Sequence, residues 1–299
     1  MQKKRLLGIA GLTGILILCL AVYLNLHGGE EYERTPHRLQ WWLSAINWDQ
    51  DRTKETGDGV SIAVLDSGID SKHPDISEAV VKEYRVSSIG KEEGNTLHGT
   101  AVAGIIAGSP SHDKGVLGVA VNAHILSVDV TDAKNGVMEI DALIEGIRYA
   151  ISQNVDIISI SAGVKEDVKQ LHAAIKEAYD AGIVIVAAAG NFMKDDMLYP
   201  AKYPEVIAAG ALSKDGTISS PTGRLPKNVV YLPGENIVTT RNEAGYTGID
   251  GTSAATPILS GVIALMKERH KQLTNEEMIE YFESRTFTGI NVKEILDLK

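Results

Sequence analysis

The sequence is poor in sulfur and has no excess of positive charge. A single cysteine, Cys19, stands in 299 residues. One cysteine cannot close an intramolecular disulfide, and it cannot supply a cysteine-based zinc site. Lys and Arg number 29 against 39 Asp and Glu, a net charge of −10. Nucleic-acid binders normally present a basic face, so no nucleic-acid partner is expected. No internal repeat is visible, and the length fits one large domain or two small ones. A glycine-rich phosphate loop followed by Lys and Ser or Thr is also missing, which counts against a nucleotide-binding α/β domain. The composition that remains is that of an ordinary globular chain, 44% hydrophobic and 23% charged. A chain this long buries a sizeable core without covalent staples.

Residues 6–26 (LLGIAGLTGILILCLAVYLNL) carry no charge and follow Lys3, Lys4 and Arg5. As a helix this stretch rises about 31 Å, which matches the hydrocarbon core of a bilayer. The basic segment 1–5 is expected in the cytoplasm and the rest of the chain outside the membrane. The alternative to this transmembrane anchor is a signal segment, whose apolar region is shorter, about 7–15 residues. Cys19-Leu20-Ala21 would then serve as a small-x-small cleavage site. Either reading exports the protein, as a single-pass membrane protein or as a secreted one. The polar stretch 27–37, with its glycines and proline, reads as a linker before a globular domain over 38–299.

Beyond the linker, apolar runs alternate with helical periodicity. VSIAVL (60–65), HILSVDV (124–130), VDIISIS (155–161), IVIVAAA (183–189) and VIAAGAL (206–212) predict buried strands. Helices are predicted over 137–151, 167–182 and 253–270 from the spacing of apolar residues. HGTAVAGIIAG (98–108) reads as a helix of small residues, and Thr274 with Glu277 three positions on forms a capping box over 274–284. Buried strands joined by helices imply a parallel sheet covered on both faces. Ligands then gather at the carboxyl ends of the strands. Three polar or glycine-bearing segments fall at such ends: Asp66-Ser67-Gly68, Ser161-Ala162-Gly163 and Gly190-Asn191.

Nucleophilic hydrolysis needs a hydroxyl or thiol, a base beside it and a group that orients the base. The only cysteine lies in the apolar segment, so the nucleophile is a Ser or Thr. Ser253 follows a glycine turn and opens a long apolar helix, where backbone N–H groups point at developing negative charge. By itself it also reads as an ordinary N-cap. His98, at the start of a glycine-flanked helix, is left uncrowded, with a capping histidine as the plain alternative. Asp66 ends a buried strand, where a carboxylate needs partners; its plain reading is a turn-forming residue. Asn191 ends another strand and offers an amide donor to an oxyanion.

In the order Asp, His, Ser these residues carry a family resemblance. From about Arg38 to Lys299 the chain resembles the subtilisin-like serine proteases, or subtilases, whose triad follows that order. The matching stretches are VSIAVLDSGIDSKHPDI (60–76), HGTAVAGIIAG (98–108), GVLGVAVNAHI (115–125), VDIISISAG (155–163), IVIVAAAGN (183–191), YPAKYPEVIAAGAL (199–212), LPGENI (232–237), GTSAATPILSG (251–261) and INVKEIL (290–296).

The resemblance implies an α/β three-layer sandwich, with a mainly parallel central sheet flanked by helices. It implies a serine endopeptidase with Ser253 as nucleophile, His98 as base and then acid, and Asp66 orienting His98. Asn191 would hold the oxyanion with the Ser253 backbone N–H. Peptide or protein substrates would lie as an extended strand, with Ser161, Ala162 and Gly163 on one wall of the primary pocket. Ala188, Ala189 and Gly190 would form the other wall, and Leu198 a shallow floor. Glu166 and Asp195 in the flanking loops would select a basic side chain, or else are solvated charges interleaved with Lys165 and Lys194. No cofactor is required for the chemistry. A structural calcium is implied by Asp75, with Asp113 as a partner, although Ca²⁺ needs about six or more oxygens.

The resemblance also has departures. Only 27–37 separates the apolar segment from the domain, where secreted relatives carry a long pro-region. Ala101 and Ala254 replace a histidine and a methionine frequent in the family. A monomer is expected. The role remains open between a processing protease for an exported peptide, a broad extracellular protease and a latent binding module on the same fold.

Overall fold

Apolar runs become strands where the sequence places them, and the interruptions between them become the helices and loops. The computed structural model describes residues 39–49, 53–89, 94–110, 115–133, 136–191, 196–219, 222, 229–284 and 287–297. The apolar segment 6–26 and the linker 27–37 lie outside these. Among the described residues no helix is long and apolar enough to cross a membrane.

In chain order the helices are α1 (Trp41–Ala45), α2 (Leu97–Ala107), α3 (Ile140–Ser152), α4 (Lys169–Asp180), α5 (Thr252–Arg269), α6 (Asn275–Glu283) and α7 (Val292–Leu296). The strands are β1 (Ser61–Asp66), β2 (Val80–Arg85), β3 (His124–Asp129), β4 (Ile157–Ile160), β5 (Val184–Ala188), β6 (Val206–Leu212), β7 (Val229–Pro233), β8 (Ile237–Arg241), β9 (Gly245–Ile249) and β10 (Phe287–Thr288). The main sheet runs β10-β7-β6-β5-β4-β1-β3-β2, with β10 a two-residue edge. Each of its ladders is parallel.

Strands β1 and β3–β7 are buried on both faces over most of their length, as near-continuous apolar composition requires. On β1, Ile62 and Val64 face one helical layer with α2 and α5, while Ala63 and Leu65 face the other with α3 and α4. The three-layer sandwich implied by the resemblance is therefore present. The antiparallel hairpin β8–β9 packs beside α2, where Thr239 and Thr240 donate to the carbonyls of Ala101 and Thr100 at 2.7 and 2.6 Å.

The structure differs from the sequence reading in one helix start and in several added elements. α3 begins at Ile140 because Met138 pairs with Thr131 and Glu139 is extended. β2, β7, β8, β9, β10, α1 and α7 were not predicted. β2 (VVKEYR) has no fully buried residue, so its composition carries no apolar run. The capping box at Thr274 and Glu277 forms with both of its hydrogen bonds.

Candidate active site

The strand order reverses around β1, which lies between β3 and β4. Such a reversal opens a crevice at the carboxyl ends of the strands. Asp66, Ser161 and the Gly190-Asn191 pair all sit there, just at or beyond the ends of β1, β4 and β5.

Asp66 is 3% exposed, and both of its carboxylate oxygens lie 2.9 Å from Nδ1 of His98. The Ser67 N–H donates to Oδ1 at 2.7 Å, so the buried carboxylate has the partners it needs. A carboxylate only accepts, so the hydrogen of a neutral imidazole sits on Nδ1 and Nε2 is the free lone pair. His98 lies in the first turn of α2 and is 4% exposed, more enclosed than its glycine-flanked position suggests. Gly99 is the reason α2 comes so close. A Cβ there would stand 2.1 Å from the Gly68 carbonyl oxygen. The Gly99 N–H also donates to Ser67 Oγ at 3.1 Å.

Ser253 is not an N-cap. Gly251, at φ 84°, holds that position, and no side chain caps the helix. A Cβ at Gly251 would lie 2.5 Å from Asn191 Nδ2, so both its backbone and its neighbour require glycine. Ser253 is the second residue of α5, and its Oγ donates to the Asp250 carbonyl at 3.3 Å. Among the described residues no hydrogen bond joins Ser253 to His98. Pro257 has no N–H to give the Ser253 carbonyl four residues earlier. Ser161 Oγ donates to that carbonyl instead, at 3.1 Å, which ties the end of β4 to the start of α5.

Asn191 is fixed by a residue the sequence reading did not single out. Its Oδ1 accepts from the Thr252 N–H at 2.9 Å and from Thr252 Oγ1 at 3.2 Å. Thr252 Oγ1 also accepts from the Gly190 N–H. With Oδ1 held, Nδ2 is the donor left over. The Gly-Thr-Ser run was the available signal for Thr252, but its partner lies 61 residues away.

Residues 198–199 bridge the two expected pocket walls. The Leu198 N–H donates to the Ala189 carbonyl, and Val164 and Tyr199 exchange hydrogen bonds at 2.7 and 2.8 Å. Leu198 is buried between the walls, and a Cβ at Gly163 would lie 2.7 Å from Leu198 Cβ. Ser161 and Ala188 are buried and Ala162 is half-buried. Glu166 is exposed, and Asp195 lies outside the described residues. Of the other loop acids, Asp196 pairs with Lys202 at 2.6 Å, which holds its carboxyl below the usual range. Asp167 accepts from the Tyr203 hydroxyl at 3.0 Å. Burial, and then Asp167, push the Tyr203 phenol above its ordinary value.

The residues around Asp75 do not fit a calcium ion at its Oδ2. That oxygen accepts from the Val116 N–H at 2.9 Å and from the Tyr246 hydroxyl at 3.0 Å. Hydrogen donors converge where a cation would need oxygens. Asp113 lies outside the described residues, among which no group of three or more His, Cys, Asp or Glu is suited to a metal.

Comparison with known proteins agrees with this architecture. Residues 57–294 match the family model described as Subtilase family. The chain belongs to the subtilase family, and is a subtilisin-like serine protease by class. It is 37% identical over 234 residues to the major intracellular serine protease of Bacillus subtilis (strain 168), covering 75% of this chain and 73% of that one. It is 37% identical over 274 residues to the intracellular serine protease of Paenibacillus polymyxa, covering 86% and 82%. Subtilisin E of Bacillus subtilis (strain 168) is 37% identical over 239 residues, 78% of this chain and 62% of subtilisin E.

Proposed function

We propose that this protein cleaves peptide bonds through an acyl-enzyme on Ser253. The observation that carries the reading is the double contact of Asp66 with His98 Nδ1, which fixes the tautomer a general base needs. Ser253 Oγ attacks the scissile carbonyl carbon and gives its proton to His98 Nε2. The oxyanion is received by Asn191 Nδ2–H and the Ser253 N–H. His98 then protonates the departing amine, leaving an ester on Ser253. Water attacks the ester and gives a proton to His98, which returns it to Ser253 Oγ as the ester bond breaks and the product leaves as a carboxylic acid. Every step uses a group of this chain. Ser253 Oγ must first turn from the Asp250 carbonyl toward His98, since catalytic hydrogen bonds often tighten only with substrate bound.

The substrate is an extended peptide paired by its backbone, with specificity left to side-chain pockets. Leu198 makes the primary pocket shallow. Asp167 and Asp196 have partners of their own, and Glu166 is an exposed acid that would favour a basic residue. The uninterrupted run 6–26 behind Lys3, Lys4 and Arg5 argues for an anchored peptidase facing outward, although two relatives are named intracellular proteases. An anchored peptidase suits the processing of an exported peptide.

A second reading, a latent subtilase fold that binds peptides without cleaving them, is favoured by the hydrogen bond of Ser253 Oγ to Asp250. Hydrolysis of a peptide library by the full chain, beside Ser253→Ala, separates the two. Cleavage by the wild type alone supports the protease, with a rate that rises with pH as His98 loses its proton. Binding without cleavage supports the latent fold. A flat rate from about pH 5 to 9 contradicts His98 as the base.

A further inference from the structure

Asp66 does not stand alone at the sheet's carboxyl edge. In the parallel register of β1 and β3, Asp66 is paired directly with Asp129. In the register of β2 and β3, Asp129 is paired with Arg85. Neighbouring strands lie about 4.8 Å apart, and directly paired residues point to the same face. A second carboxylate therefore stands one strand from the one that holds His98. It lies beside the turn after β1, since a Cβ at Gly68 would stand 3.4 Å from Asp129 Oδ2. Asp129 Oδ2 is bonded to Arg85, and Oδ1 accepts from the N–H and hydroxyl of Thr131 at 3.1 and 3.3 Å. The side chains of Arg85 and Asp129 are only 19% and 13% exposed, so salt screens them poorly. Burial raises the Asp129 carboxyl above its ordinary value, while the Thr131 N–H and Arg85 pull it back toward ionisation.

We infer that Arg85 and Asp129 form a charge-balancing pair behind the Asp66–His98 dyad, and that they are positioning residues for the base. This rests on the reading of His98 as the base. An unbalanced Asp129 would favour the imidazolium, and an unbalanced Arg85 would oppose it. The other charged groups brought near α2 are Asp70, tied to the N–H groups of Lys72 and Glu243, and Arg241 and Glu243 on the β8–β9 hairpin. Within α2 and residues 252–266 of α5, His98 is the only titratable side chain.

The test uses the full chain and two readouts. One is the acid limb of kcat/KM for a peptide substrate. The other is the midpoint at which the His98 ring signals move in NMR, in a Ser253→Ala background, with His98→Gln to assign them. Asp129→Asn keeps the shape and removes the negative charge of the pair. It is expected to lower both midpoints by about half a pH unit. Arg85→Gln is expected to raise them, and the double variant to return them close to wild type. Unchanged midpoints in both single variants overturn the inference. So does a double variant that remains shifted, because the effect would then come from lost packing instead of charge. If the wild type hydrolyses nothing, the protease reading fails, while the NMR midpoints still test the pair.

Discussion

α3 and α4 cover one face of the sheet with their outer halves in solvent, whereas α2 and α5 cover the other with almost nothing exposed. α3 and α4 bury apolar stripes, such as Leu143, Ile144 and Ile147 or Leu171, Ala174 and Ile175. Residues 98–107 of α2 and 254–266 of α5 are buried all round. Amphipathic stripes need only one partner surface. Helices buried all round need small residues where they meet backbone. Gly99 meets the Gly68 carbonyl, Gly104 meets Thr239 and Thr240, and Gly261 meets Val119. The candidate catalytic residues His98 and Ser253 belong to this second pair, each in the first turn of its helix. The candidate catalytic residues therefore sit on the helices that glycine lets approach neighbouring backbone most closely.

That contrast can be broken by substitution, and the effects are expected to descend in the following order. Asn191→Ala should cost about 2.7–4 kcal/mol in the chemical step, read from kcat, and a smaller loss of about 1–2 kcal/mol in thermal stability, because the Thr252 N–H loses its acceptor. An equal loss of stability would mean that the amide is a structural tie and not an oxyanion donor.

Gly99→Ala should destabilise by about 3 kcal/mol, because its Cβ meets a backbone carbonyl that cannot move aside. Gly146→Ala on α3 is the matched control. Its Cβ would meet the buried Val130 Cγ1 at 2.7 Å, a side chain and not backbone, and it is expected to cost less, about 1–2 kcal/mol. Denaturant unfolding of both variants measures the difference, and equal losses would remove the distinction between the layers.

Ser161→Ala removes the donor that Pro257 cannot replace, leaving the Ser253 carbonyl unsatisfied. A loss of about 1–2 kcal/mol is expected in urea unfolding. Replacing Pro257 with Ala as well should recover part of it, since the helical N–H returns.

The smallest effect is expected on the outer layer. Arg148 and Glu177 join α3 to α4 through two 2.9 Å hydrogen bonds at roughly half-exposed positions. Arg148→Ala should change stability by about 0.5 kcal/mol or less. The Arg148 hydrogen bond lowers the Glu177 carboxyl below its ordinary value. A depressed carboxylate contributes stability above its unfolded value and loses it as pH falls through the folded one. The variant and wild type should therefore converge in acid, which unfolding at pH 3 and pH 7 would show.

Much of the fold was legible in the sequence because its central strands are uninterrupted apolar runs. β1, β3, β4, β5 and β6 follow from composition alone. β2 is legible only with its neighbour in view, since VVKEYR gains its place by pairing with β3 and not by burial. The hairpin β8–β9 is rich in Thr and Gly, and its positions are set by hydrogen bonds to α2. Within the candidate site, Asp66, His98, Ser253 and Asn191 were visible as motif residues. Ser67 and Thr252 lay within the motifs without an assigned role, and the Arg85–Asp129 pair was not visible, because what these residues do depends on partners distant in sequence. Asp113 and Asp195, both legible as candidates, lie outside the described residues.

The most direct test is to treat the full chain with a fluorophosphonate and map the adduct by mass spectrometry. A single adduct on Ser253, lost in His98→Ala and weakened in Asp66→Asn, is the expected result. A folded chain that takes no label, or takes it on another residue, would contradict Ser253 as the activated nucleophile.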